Sequence, residues 1–113
     1  MKERGVNIGQ IARMAQQVQA QMAQAGEELK ETTLEATAGG GAVRVTITGA
    51  QEIRAIEIDP AAVDPAEVEM LQDLVMTAVN DAIARSKQLA EERMARIAGG
   101  VGLPGMPGLP GLR

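Results

Sequence analysis

The strongest constraint on this chain is an apolar heptad repeat near its start. Seven apolar residues recur at spacings of three and four, and we call them the heptad seam: Ile8, Ile11, Ala15, Val18, Met22, Ala25 and Leu29. Such a repeat predicts a helix that packs lengthwise against another helix. The partner helix is that of a second copy, the last helix of the same chain, or both in one dimer, and the sequence favours neither alternative.

The composition excludes most enzyme chemistry. The 113 residues include no cysteine, histidine or aromatic residue. Without histidine the chain lacks the commonest general base and metal ligand, and its carboxylates do not have the spacing of a divalent-metal loop. Without aromatic rings it cannot stack unpaired bases, as most RNA and single-strand readers do. We therefore expect no enzyme activity, no cofactor, no metal and no small-molecule substrate.

The net charge of −4 is distributed unevenly along the chain. Residues 1–25 carry a net charge of +2, residues 26–73 carry −8, and residues 74–113 carry +2. A basic surface at the two ends can attract nucleic acid if the acidic middle is held away from it.

The sequence also lacks the signals of export or membrane insertion. The start of the chain has no apolar core of the length that a signal peptide needs. No apolar run approaches the ~18 residues of a membrane span. We expect a cytoplasmic protein with no membrane partner.

The first helix and a three-stranded meander follow from changes in periodicity. Asn7 is expected to cap the helix, which should end at about Leu29 or Lys30. The apolar period then changes to two, with turns predicted at residues 39–41 and 49–50. The pattern predicts three short antiparallel strands with one apolar face.

A long helix is predicted after the strands. Asp59-Pro60 should form a turn, Asp64-Pro65 should start the helix, and Gly99-Gly100 should stop it after Ala98. At roughly 50 Å this helix is longer than a compact domain of ~35 Å, so we expect it to overhang as an arm beside the first helix. Its broad apolar face should cover the sheet: Leu71, Leu74, Val75, Ala78, Val79, Ala82 and Ile83.

The last residues have the composition of a tail. Glycine recurs at every third position from Gly102 to Gly111, but three triplets are too few for a collagen helix. We expect a single domain over residues 1–98 and a flexible Gly/Pro-rich tail over residues 99–113.

Three stretches and the tail, in this order and spacing, resemble the YbaB/EbfC family of nucleoid-associated proteins. They are residues 41–49 (GAVRVTITG) running into 56–60 (IEIDP), residues 71–82 (LQDLVMTAVNDA) and residues 102–105 (GLPG). The resemblance implies an α+β fold of α-β-β-β-α order, with a three-stranded antiparallel meander and two long helices that project in a tweezer-like homodimer. It also implies binding of double-stranded DNA in the bacterial cytoplasm and nucleoid, with a role in nucleoid organisation or gene regulation.

The candidate DNA contacts are basic residues at the start of the first helix and in the second half of the last. We expect them to contact phosphates, and to meet near the arm tips if the helices run antiparallel. Asp81 can pair with Arg85, although it can also cap a nearby strand, whereas Arg13 and Arg93 have no acidic residue four positions away. The candidates are Lys2, Arg4, Arg13, Arg85, Lys87, Arg93 and Arg96.

A different function is compatible with the same arms. Their Met-, Ala- and Gln-rich surfaces suit a protein-interaction adaptor or a chaperone-like clamp, because methionine adapts to many partners. The overall negative charge favours this alternative, and the basic ends favour DNA.

Overall fold

The computed structural model describes residues 7–100, and the order of its elements confirms the predicted α-β-β-β-α fold. The first six residues and residues 101–113, which include Lys2, Arg4 and most of the predicted tail, lie outside the described residues. The elements are α1 (Ile8–Glu31), β1 (Thr33–Ala38), β2 (Val43–Thr48), β3 (Ile53–Ile58) and α2 (Val68–Gly100), with 3₁₀ turns at Pro60–Ala62 and Pro65–Glu67.

The three strands form an antiparallel meander in the order β1-β2-β3. Positive φ angles at residues 39–41 explain why glycines stand in the first turn. In the second turn Gln51 has a φ of 65°, and its N–H donates to the Thr48 carbonyl at 3.0 Å. Both predicted turns are confirmed.

Local capping sets where the helices begin. The Gln10 N–H donates to Asn7 Oδ1 at 3.2 Å, which confirms the predicted cap, and α1 continues to Glu31. Asp59 and Asp64 each accept a backbone N–H at the start of a 3₁₀ turn. The predicted helix start at Asp64-Pro65 is therefore one 3₁₀ turn ahead of α2, which continues to Gly100.

The core lies between the sheet and α2. Val43, Val45 and Ile47 are fully buried on β2, and Ala78 and Ala82 are fully buried on α2. The small alanine side chains let the helix approach the strand closely. The other predicted face residues of α2 pack against this core, which confirms the prediction: Leu71, Leu74, Val75, Val79 and Ile83.

A buried polar contact joins α2 to the end of β2. Ser86 and Thr48 are both fully buried, and the Ser86 hydroxyl donates to the Thr48 carbonyl at 2.8 Å. Thr48 Oγ1 in turn accepts the N–H groups of Ala50 and Glu52, each at 3.2 Å. The polar atoms at this position are therefore satisfied inside the core.

The chain divides into two compact units. Among the described residues, 7–27 and 92–100 form one, which we call the end unit, and Glu28–Glu91 form the other, the sheet unit. Within the sheet unit Gly49 is buried against Leu29, where a Cβ on residue 49 would lie only 2.6 Å from Leu29 Cδ2. A glycine is needed there for reasons of space.

Candidate nucleic-acid interface

The two units differ sharply in charge. The described residues of the end unit contain three Lys/Arg against two Asp/Glu, a net charge of +1. The sheet unit contains five Lys/Arg against twelve Asp/Glu, a net charge of −7. Because a phosphate backbone is attracted to the first and repelled by the second, the end unit is the candidate interface.

The seven predicted contact residues do not all belong to that unit. Arg13, Arg93 and Arg96 are in the described part of the end unit, whereas Arg85 and Lys87 are in the sheet unit. The structure thus groups three of the candidates and separates two from them. Lys2 and Arg4 lie outside the described residues.

The three grouped arginines differ in exposure. Arg13 and Arg96 are exposed, and Arg93 is half-buried. The Arg13 side chain folds back over the first turn of α1, where its Nη1 lies 3.9 Å from the position of a Cβ on Gly9. A guanidinium exposed in this way can donate hydrogen bonds to phosphate oxygens.

Arg85 already has an acidic partner. Its Nε lies 3.1 Å from Asp81 Oδ2, one helical turn earlier, which confirms the predicted pair. The two side chains are 58% and 42% exposed, so the pair contributes little to stability. Lys87 is exposed on the same helix. The ion pairs expected of Lys87 with Glu91 and of Glu92 with Arg96 stay predictions.

The two arginines of the sheet are also engaged within the chain. Arg44 Nη1 lies 3.4 Å from Glu57 Oε1 across the β2–β3 pair. Arg54 Nη2 donates to the Lys30 carbonyl at 3.0 Å, which caps the end of α1, and its Nε lies 3.7 Å from Glu52 Oε1. These contacts leave the sheet arginines less suited to phosphate binding.

The sequence alone gave no signal for the contact between Arg54 and Lys30. The two residues are 24 positions apart, and they meet only because β3 returns past the end of α1. The pairing of Arg44 with Glu57 likewise requires the β2–β3 register.

Comparison with the sequence models of protein families identifies the family of this chain. The sequence model of the YbaB/EbfC DNA-binding family matches residues 3–101. The chain belongs to the YbaB/EbfC DNA-binding family.

Individual YbaB/EbfC relatives agree with this assignment. A nucleoid-associated protein of Moorella thermoacetica is 52% identical over 102 residues, which cover 88% of this chain and 98% of that protein. A nucleoid-associated protein of Chloroflexus aurantiacus is 51% identical over 96 residues, with coverages of 85% and 96%. The crystal structure of an uncharacterised Helicobacter pylori protein has the same fold, with a TM-score of 0.67 at 24% identity, over 85% of this chain and 97% of that one.

The YbaB/EbfC family is a DNA-binding family and not a known enzyme family. In residues 7–100 no cluster of three or more acidic side chains is arranged to hold a metal ion. Neither long helix, over that same range, has an apolar stretch sufficient to cross a membrane.

Proposed function

We propose that this chain is a homodimeric nucleoid-associated protein that binds double-stranded DNA mainly through contacts of Lys and Arg with phosphates. Its place would be the nucleoid in the cytoplasm, with a role in nucleoid organisation or gene regulation. Membership of a DNA-binding family supports the partner, and the name "nucleoid-associated protein" that several relatives share supports the location.

The difference in charge between the two units supports the proposed position of the DNA. The described residues of the end unit have a net charge of +1 and those of the sheet unit have −7, so the field favours a duplex at the first unit and repels it from the second. Arg13, Arg93 and Arg96 are the proposed contacts among the described residues of the end unit. Lys2 and Arg4 belong to the same proposal through their position in the sequence, and Arg85 and Lys87, which are in the sheet unit, remain proposed contacts from the sequence.

Exposed apolar residues support the homodimer. In the single chain only Ala25 and Leu29 of the heptad seam are buried. Ile8 is 81% exposed, Ile11 52% and Met22 45%. Apolar residues at heptad spacing that stay exposed in one chain favour association with a second copy over packing within the chain. The resulting interface would be isologous.

The comparisons do not support the alternative of an adaptor or chaperone-like clamp. The family description and the shared names of the relatives refer to DNA binding and to the nucleoid. No contact among residues 7–100 favours the alternative independently.

Binding to an unrelated DNA duplex across a salt series tests the proposal. If phosphate contacts dominate, the logarithm of the association constant should fall linearly with the logarithm of the salt concentration, by about 0.9 per neutralised phosphate. A flat salt dependence, or no binding at low salt, would contradict it. Light scattering at micromolar concentration should give the mass of two chains, and the mass of one chain would exclude the homodimer.

A further inference from the structure

The part of α1 in the end unit is almost uncharged, unlike the rest of the chain. Between Ile8 and Gly26 the only charged side chain is that of Arg13. Residues 80–98 of α2, a stretch of the same length, carry seven charged side chains. In place of charges α1 has six of the nine glutamines of the chain. This part of α1 can therefore approach a phosphate backbone without repulsion from acidic side chains of its own.

Four of these glutamines share one face of the helix with Arg13. We call this face the glutamine stripe, and its members recur at spacings of three and four: Gln10, Arg13, Gln17, Gln21 and Gln24. Gln10, Arg13 and Gln17 are exposed, and Gln21 is half-buried. The stripe is about 21 Å long, which corresponds to about six base pairs of DNA. It thus joins exposed amide groups to a candidate phosphate contact on one helical surface.

The glutamine side chain matches the hydrogen-bonding groups of adenine. Its amide can donate to adenine N7 and accept from the N6 amino group at the same time, in the major groove. That groove is about 12 Å wide and admits an α-helix. Contacts of Lys and Arg with phosphates fix the position of a protein on DNA but do not distinguish sequences. Exposed amides beside Arg13 can supply the distinction that phosphate contacts lack.

We propose that the glutamine stripe lies in the major groove of bound DNA, where Gln10 and Gln17 hydrogen-bond to adenine bases. This inference rests on the proposed function and adds to it a preference for A·T base pairs. At about 100° per residue, Arg13 lies about 40–60° around the helix axis from the two glutamines. The arginine is therefore directed at a phosphate on the wall of the groove while the two amides face the base edges on its floor.

An adenine analogue tests the contact with N7 directly. In 7-deazaadenine a C–H group replaces N7, whereas the base pair, the minor-groove edge and the phosphates are unchanged. The wild-type chain should bind an alternating dA–dT duplex about 2–10-fold more tightly than the same duplex made with 7-deazaadenine, because a hydrogen bond is lost. Equal affinity for the two duplexes, with a steep salt dependence, would overturn the base contacts and leave the proposed function intact. No binding to either duplex at low salt would overturn the proposed function as well.

Two double variants test whether the stripe makes this contact. Gln10→Ala with Gln17→Ala should bind both duplexes equally, with the salt slope of the wild type, because an amide neutralises no phosphate. The matched control is Gln16→Ala with Gln19→Ala, which makes the same change at exposed positions about 100° and 160° around the helix from Gln17. The control should keep the full difference between the duplexes.

The outcomes that would overturn the stripe are distinct. A difference that persists in the Gln10/Gln17 variant, or that disappears in the Gln16/Gln19 control instead, would show that other residues contact adenine. Alanine is a better helix former than glutamine, so both variants should keep α1, which circular dichroism can verify. If the Gln10/Gln17 variant keeps the difference and has a lower mass in light scattering, the stripe contacts protein and not DNA.

Discussion

The sheet unit and the end unit differ in the burial of their apolar residues and in the sign of their exposed charges. In the sheet unit Val43, Val45 and Ile47 are fully buried, and the exposed charges are mainly acidic. In the described residues of the end unit Ile8 and Ile11 are mostly exposed, and basic residues outnumber acidic ones three to two.

This difference indicates that the two units have different roles in stability and in association. The sheet unit contains the buried core that stabilises the fold, and its acidic surface discourages contact with DNA. The end unit contributes little buried surface to the single chain, so its exposed apolar and basic residues are available for assembly and binding. Substitutions should therefore affect stability in one unit and association in the other.

The largest stability effect is expected from Ile47→Ala in the sheet unit. Removing a fully buried isoleucine side chain should lower the free energy of unfolding by about 2–5 kcal/mol. The matched control is Ile8→Ala in the end unit, which removes the same atoms from a residue that is 81% exposed in the single chain and, at a protein concentration too low for the proposed dimer, should cost no more than about 0.5 kcal/mol. Urea denaturation at one fixed protein concentration measures both. Equal losses would contradict the division between the units.

Alanine substitutions at two glycines should change the stability of the fold in opposite directions. Gly49→Ala puts a methyl group against Leu29 and should destabilise the chain by about 1–3 kcal/mol. Gly26→Ala, inside α1 with open space around its added Cβ, should raise stability by up to about 1 kcal/mol through helix propensity. Thermal unfolding midpoints should move in opposite directions. A shared direction would contradict either the close packing at Gly49 or the open space at Gly26.

The smallest effect is expected from Ser86→Ala. The substitution removes the hydroxyl that donates to the Thr48 carbonyl, and that carbonyl still accepts the Gln51 N–H at 3.0 Å. The destabilisation should therefore be about 1 kcal/mol. Thr77→Ala, at an exposed position of the same helix, serves as the control and should change the unfolding free energy by less than about 0.5 kcal/mol. A Ser86→Ala variant as stable as the control would show that the hydrogen bond is not stabilising.

Most of the fold was predictable because its signals are local. Alternating apolar residues predicted the strands, and Asn7 and Asp59 cap the elements that their positions indicated. Two features were not predictable, because each depends on strands and helices that meet only in the folded chain. They are the contact of Ser86 with Thr48 and the bulge of β3 at Arg54, which lies between the pairs Thr46–Ala55 and Ile47–Ile53. The sequence likewise identified the basic residues of the candidate interface, but only the division into units separated Arg85 from Arg96.

The central claim is that DNA binds the end unit and not the sheet unit. Two double variants with the same change in charge test it: Arg13→Glu with Arg96→Glu in the end unit, and Arg44→Glu with Arg54→Glu in the sheet unit. All four arginines are exposed, so both variants should fold, which circular dichroism can verify. The measurement is the affinity for one duplex across a salt series. The end-unit variant should bind far more weakly, and its log–log salt slope should fall by about 0.9 for each phosphate that the variant no longer neutralises. The sheet-unit variant should keep a slope close to that of the wild type. If the slope falls in the sheet-unit variant and is unchanged in the end-unit variant, the placement of DNA on the end unit is wrong.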